Sequence, residues 1–146
     1  MSNIIKFFKT NNSAVTPSKA HPEDIGYDLT AIKKYKEYEN GAVLYDTGIR
    51  VQPPQGFYTE IIPRSSISKS GYMLANSIGI IDPNYTGNLY IALIKVNPSA
   101  KPLKLPFTKC QLVLRKAEKS IMKEVNAKEF MKTTRGDGGF GSTGKQ

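Results

Sequence analysis

Apolar positions in this chain cluster in short runs of β-branched and aromatic residues, not at helical spacing. Asn88 to Asn97 reads NLYIALIKVN directly after Gly87, and Gly56 to Pro63 reads GFYTEIIP with Thr59 and Glu60 inside it. Both predict strands, because branched and aromatic side chains suit a pleated, half-buried surface. Ala42 to Val51 and Gln111 to Leu114 are shorter candidates, and Pro or Gly stands at most of the joins. Periods of 3.6 are scarce; only Asn126 to Thr133 could hold a short helical turn. The stretch Lys33 to Tyr38, KKYKEY, reads as an exposed loop. The expected class is all-β, a sandwich or a barrel.

The length of 146 residues suits one domain with a substantial core. Composition changes sharply from Thr133 onward, where TTRGDGGFGSTGKQ places glycines at 136, 138, 139, 141 and 144. Glycine loses the most entropy on ordering, so this tail reads as a flap that settles on a ligand. The expected division is a β-barrel domain over 1–132 and a flexible glycine-rich arm over 133–146.

Composition narrows the class further. Hydrophobic residues make up 39% and charged residues 23%, the balance of a globular chain. The single cysteine, Cys110, cannot form an internal disulfide. The opening MSNIIKFFKT is too short in its apolar part for a signal h-region, and no run reaches membrane-span length. Cytoplasm or another reducing intracellular compartment is therefore expected, with no membrane partner. The net charge of +9 is spread along the chain, with no Arg-rich arm or recognition helix. Such a field steers small polyanions such as a nucleoside triphosphate, and nucleic acid is not the expected primary partner.

Four segments could carry chemistry. Gly26-Tyr27-Asp28-Leu29 sets an acid between apolar residues, where it meets a cation or donor or caps a turn. Pro63-Arg64-Ser65-Ser66 follows a strand and offers the donors of an anion site, or forms a turn with a surface arginine. Asn76 to Gly87, NSIGIIDPNYTG, runs Ile80 and Ile81 into Asp82, and reads as a hairpin whose backbone could pair with a base edge. Apolar walls there would suit Asp82 to general-base work, whereas Asp before Pro also simply forms turns. The tail Gly139 to Lys145, GFGSTGK, matches part of a phosphate-binding P-loop only in form, because the chain ends where the helix must begin. His21 is the only histidine, so a His-based metal site or Ser-His-Asp triad has no support.

In this order the segments resemble the trimeric dUTPase family, from about Ala20 to Gln146. The motifs are Ile25 to Leu29, Pro63 to Ser66, Asn76 to Gly87, a weaker Cys110 to Val113, and Arg135 to Gly144. The resemblance implies a distorted jelly-roll or β-clip barrel acting as a homotrimer with active sites shared between subunits. It implies hydrolysis of dUTP to dUMP and pyrophosphate with Mg²⁺, which keeps uracil out of DNA and supplies dUMP for thymidylate synthesis. Asp82 would be the base for the attacking water. Asn76, Gly79, Ile80 and Ile81 would read uracil through the backbone, Tyr85 would pack on the deoxyribose, and Tyr90 would line the far side of the base pocket. Arg64, Ser65, Ser66 and Gln111 would hold phosphates, and Asp28 would reach the magnesium through water. From the arm, Arg135 and Ser142 would clamp phosphates and Phe140 would stack on uracil, with Gly141 between them in the same substrate-binding stretch.

Three departures stand out. The fourth motif, Leu105 to Gln111, lacks the usual Gly and acidic-basic pair. Ser66 stands where many members have Gly, and Tyr27 where a small residue is usual. The related dCTP deaminase family shares Arg-Ser-Ser and Ile-Asp-Pro, but Ala92 occupies the position of its catalytic glutamate and Lys69 that of its arginine. A non-catalytic binding protein on this scaffold could dispense with Asp82, Tyr85 and Phe140, yet all three are present.

Overall fold

The computed structural model describes residues 3–141. Ten strands run through it: β1 Lys6–Lys9, β2 Tyr27–Ala31, β3 Lys33–Glu37, β4 Val43–Asp46, β5 Ile49–Gln52, β6 Phe57–Pro63, β7 Tyr72–Leu74, β8 Gly79–Ile81, β9 Tyr90–Lys95 and β10 Phe107–Lys116. They form two four-stranded sheets, ordered β2-β10-β6-β8 and β3-β4-β9-β7, and a ribbon of β1 with β5. Every pairing is antiparallel. This is the all-β class that the strand pattern predicts, in the jelly-roll-like arrangement that the family resemblance implies. Two short 3-10 turns complete it, at Ser65–Lys69 and at Ala127–Glu129, the second within the expected helical stretch and capped by the Asn126 side chain. No helix of the described residues is long and apolar enough to cross a membrane.

The core lies between the two larger sheets. Leu29, Ile61 and Leu112 enter it from one sheet and Leu74, Ile91 and Leu93 from the other, in a single apolar cluster. Ile91 and Leu93 alternate with less buried neighbours along β9, as a strand with one face inward requires. Cys110 is fully buried in the same cluster, and burial pushes its thiol from 9.0 up to about 12. It behaves as a small apolar residue.

Three expectations change. Lys33 to Tyr38 is not a loop; most of it is β3, an edge strand paired with β4 and bulged between Lys34 and Lys36. All five β3 residues are exposed, so no apolar alternation marks the strand in the sequence. The run Ala42 to Val51 is two strands, not one. The chain turns at Gly48, with φ +68°, and the two halves join different sheets. The Gln111 to Leu114 run widens to the ten-residue central strand β10.

Candidate active site

Sheet order, not sequence proximity, assembles the first part of the site. β10 lies between β2 and β6, so Gln111 stands opposite Asp28 on one side and Ile62 on the other. Arg64 leaves the end of β6 and is tied back to β10 by its own N–H, which donates to the Lys109 carbonyl at 2.8 Å. Its Nη1 donates to the Thr108 carbonyl at 2.9 Å, and its Nε meets Asp28 Oδ1 at 3.1 Å. Both side chains stay about a third exposed, 38% and 30%, so the ion pair faces solvent at a corner. Gln111 Nε2 donates to the Pro63 carbonyl at 3.1 Å, beside the same corner. Gly26 makes room for it: a Cβ there would lie 2.1 Å from Gln111 Oε1. Asp28 thus meets a cation, the first of the alternatives its setting allowed. Ser65 is exposed, while the Ser66 hydroxyl is buried without a hydrogen-bond partner among the described residues. The corner can bind an anion through a guanidinium, an amide and the hydroxyl-bearing turn.

Asn76 to Gly87 folds differently from the expected hairpin. β7 pairs with β9, whereas β8 pairs with β6, so the segment crosses from one sheet to the other. Apolar alternation cannot reveal this, because it marks a buried face and not the strand that will be the neighbour. The crossing is tight. Ser77 takes φ +62°, and the Ile78 N–H donates to the Asn76 carbonyl at 2.6 Å. Gly79 faces Ile61, with a built Cβ 3.3 Å from the Ile61 Cβ. β8 is an edge strand, so one side of the Gly79–Ile81 backbone is left without a strand partner among the described residues. Such an edge presents N–H and C=O groups to a ligand. Ile80 projects into solvent.

Asp82 follows β8 and is exposed, so its own chain does not supply the expected apolar walls. The Tyr85 N–H donates to the Asp82 carbonyl at 3.0 Å, and the Tyr85 hydroxyl donates to the Asn88 carbonyl at 2.6 Å. Tyr90 stands opposite Asp46 on β4 and stacks on Tyr35, with ring centroids 4.5 Å apart. Partial burial and then the Asp46 carboxylate push the Tyr90 hydroxyl above its ordinary 10.0, which keeps it neutral.

The two parts of the site are separated within one chain. Ile81 is opposite Thr59, while Arg64 lies five positions further along the β6 path. At about 3.3 Å per residue that is roughly 16 Å. The arm is also apart: within 133–141, Arg135 Nε donates to the Gly138 carbonyl, the Gly138 N–H to the Arg135 carbonyl and the Gly136 N–H to Thr133 Oγ1. Phe140 is fully exposed and Gly141 takes φ +82°. Ser142 lies outside the described residues.

Three residues near the site carry no sequence signal of their own. Tyr35 sits in the stretch read as loop. Asp46 and Asn88 look like turn residues until the sheets bring them together, with Asn88 Nδ2 donating to Asp46 Oδ1 at 3.1 Å and Oδ2 at 3.2 Å.

Fold and corner define a jelly-roll-like all-β protein with an arginine-bearing corner where β2, β6 and β10 meet. Comparison with known proteins gives the family. A profile described as dUTPase matches residues 12–144. The deoxyuridine 5′-triphosphate nucleotidohydrolase of Clostridium kluyveri is 34% identical over 137 residues, covering 93% of this chain and 94% of that protein. Those of Swinepox virus and Arabidopsis thaliana are 33% and 32% identical, covering 99% and 98% of this chain and 99% and 84% of their own. The Staphylococcus bacteriophage 80alpha dUTPase with dUPNHPP superposes with a TM-score of 0.77 at 22% identity, over 99% of this chain and 100% of that one. A variant dUTPase of S. aureus phage phi11, in which coordination of a structural Mg(II) ion is described, gives 0.71 at 20% identity, over 88% and 100%. The chain belongs to the dUTPase family, whose members are nucleotide hydrolases.

Proposed function

We propose that the chain hydrolyses dUTP to dUMP and pyrophosphate as a homotrimer whose active sites are shared between subunits. The observation that carries this reading is the match to the dUTPase family over residues 12–144; the strand path of roughly 16 Å from Thr59, opposite Ile81, to the Arg64 corner agrees with a site completed by a second copy. Exposed apolar side chains support association. Ile121 and Met122 are 93% and 96% exposed, and Ile25 and Phe130 project into solvent.

In this reading Asp82 accepts the proton of a water that attacks the α-phosphorus, and the bond to the pyrophosphate oxygen breaks. Arg64, Ser65, Ser66 and Gln111 of a neighbouring subunit hold the phosphates. The β8 edge, from Asn76 through Gly79, Ile80 and Ile81, pairs with uracil and leaves no room for a thymine methyl. Tyr85 packs on the deoxyribose, and Tyr90 closes the far side of the base pocket. The arm, 133–146, folds over from the third subunit onto the 1–132 domain of its neighbours. Arg135 and Ser142 then contact phosphates, and Phe140 and Gly141 cover the base.

Asp28 would be the corner's contact for magnesium, through coordinated water, while its Oδ1 also faces Arg64 Nε at 3.1 Å. Among the described residues no three His, Cys, Asp or Glu side chains cluster as a metal cage. Asp28 is the carboxylate at the corner, which suits a hard ion that keeps several waters and takes most other ligands from substrate phosphates. Bound there, Mg²⁺ would neutralise phosphate charge.

The test is pyrophosphate release from dUTP, dCTP, dTTP and UTP with Mg²⁺, by the native chain and by Asp82→Asn. Release from dUTP alone is expected, with the variant slower by about 10²- to 10⁴-fold, the usual worth of a positioned general base. Ammonia from dCTP would assign the chain to the deaminase chemistry that Ala92 argues against. No turnover of any nucleotide would leave a binding protein.

A further inference from the structure

The face of Tyr85 is held by a polar network that ends on a buried carboxylate. Its ring lies across Gly87, where an added Cβ would stand 2.7 Å from the Tyr85 hydroxyl oxygen. The hydroxyl donates to the Asn88 carbonyl at 2.6 Å, so the position of that carbonyl sets the ring's tilt. Asn88 is in turn fixed through its side chain. Arg50 Nε, which can only donate, meets Asn88 Oδ1 at 2.7 Å, and this orients Nδ2 toward the Asp46 carboxylate. Asp46 is 4% exposed and also accepts the Gly48 N–H at 2.8 Å. The next residue is clamped as well: Leu89 donates its N–H to Ile49, and its carbonyl accepts both the N–H and the hydroxyl of Thr47. Tyr85 itself is 40% exposed, so one end of the ring is anchored while its face stays open.

We propose that Asn88 and Asp46 are positioning residues for the Tyr85 ring, and that through them the β4–β5 turn sets discrimination between deoxyribose and ribose. The proposal rests on the reading of Tyr85 as the ring that packs on the sugar. A ring held at one tilt leaves no space and no partner for a 2′-hydroxyl, and burying an unpaired hydroxyl is costly. Loosening Asn88 lets the ring rock away and admits the ribose. The charge belongs on residue 46 and the amide on residue 88 only because of what each faces, which makes the pair exchangeable. In Asp46→Asn the carboxamide oxygen can still accept from Gly48 and from Asn88 Nδ2, but the NH₂ that replaces Oδ2 stands at the 3.2 Å position facing the Asn88 NH₂, and one of the two bonds becomes a donor–donor clash. In Asn88→Asp two carboxylates face each other. In the combined Asp46→Asn, Asn88→Asp variant the amide at 46 donates to the carboxylate at 88. That carboxylate also accepts from Arg50, and every donor again has an acceptor.

The experiment measures kcat/KM for dUTP and UTP, with melting temperatures, for the full-length native chain, Tyr85→Ala, both single variants and the exchanged pair. Each single variant is expected to lower the dUTP-to-UTP ratio about tenfold, with the dUTP loss appearing in KM and kcat little changed. The exchanged pair is expected to recover the ratio to within about threefold, a non-additivity that general destabilisation would not produce. If the single variants fold and keep the native ratio while Tyr85→Ala loses it, the proposal falls and the reading of Tyr85 survives. If Tyr85→Ala also keeps the ratio, that reading fails and the proposal with it. Should a single variant fail to fold, the exchanged pair decides: a folded pair that has lost the ratio overturns the proposal.

Discussion

Replacing Gly26 by alanine would place a methyl group in the space that Gln111 occupies. The built Cβ lies 2.1 Å from Gln111 Oε1, 2.7 Å from its Cδ and 2.9 Å from its Cγ. Ordinary contact begins near 3.4 Å, so the amide must move by about 3.4 − 2.1 = 1.3 Å. Swinging the end of the side chain does not suffice, because Cγ is also too close. The bond from Gln111 Nε2 to the Pro63 carbonyl is then lost. A lost hydrogen bond costs about 0.5–1.5 kcal/mol and overpacking about 1–3 kcal/mol, so a destabilisation of about 2 kcal/mol is expected. For a chain of this size that lowers the melting temperature by roughly 4–8 °C. A second readout separates the clash from a general weakening. Thermal melts of Gly26→Ala and Gln111→Ala, alone and combined, form a cycle in which truncating Gln111 should remove most of the Gly26→Ala cost. If Gly26→Ala costs as much without the Gln111 side chain as with it, the clash is not with Gln111 and the reasoning is wrong. In the same series KM for dUTP should rise in Gly26→Ala, because the displaced amide no longer faces the Arg64 corner.

Other expectations test other parts of the molecule. Gly48→Ala forces a side chain onto φ +68° and within 3.0 Å of Ala14 and Ile32, so a loss of about 1–3 kcal/mol is expected; a melting temperature unchanged within about a degree would refute it. Cys110, with its thiol raised to about 12, should resist iodoacetamide in the folded protein at pH 8 and react once urea unfolds it. The sign for stability follows. The unfolded thiol ionises near 9.0 and the folded one does not, so Cys110 makes folding less favourable as pH rises past 9. A Cys110→Ala variant should show a shallower alkaline loss of stability, and identical slopes would count against the account. Deleting 133–146 should leave the melting temperature of the remaining chain nearly unchanged, since the described part of the arm hydrogen-bonds only within itself. KM for dUTP should rise at least about tenfold, and an unchanged KM would remove the arm from the substrate site.

Much of the fold is legible along the chain because burial writes a pattern. Ile91 and Leu93 recur at strand spacing in β9, and the glycine-rich composition after Thr133 marks the arm. Of the strands that escape notice, the three-residue β7 is too short to show a period, while β1 and β3 are exposed throughout. With no side chain to bury, they need no apolar alternation and leave none. The order of the motifs from Asp28 to Phe140 likewise identifies the family without a structure. What alternation cannot encode is partnership. The Asn76 to Gly87 segment reads as a hairpin, because a hairpin and a crossing between sheets share the same local pattern.

By itself, then, the order of residues determined the all-β class, the family and the identities of the candidate chemical groups. These depend on composition and local spacing, which a linear chain displays directly. Only the tertiary structure decided that Asp28 pairs with Arg64 across β10, that Gln111 fills the space left by Gly26, and that Asp46 reaches Asn88. Only it separated Asp82 from the Arg64 corner along β6. Each of these relations joins residues that strand order and register bring together or hold apart, and hydrogen bonds between distant strands set both.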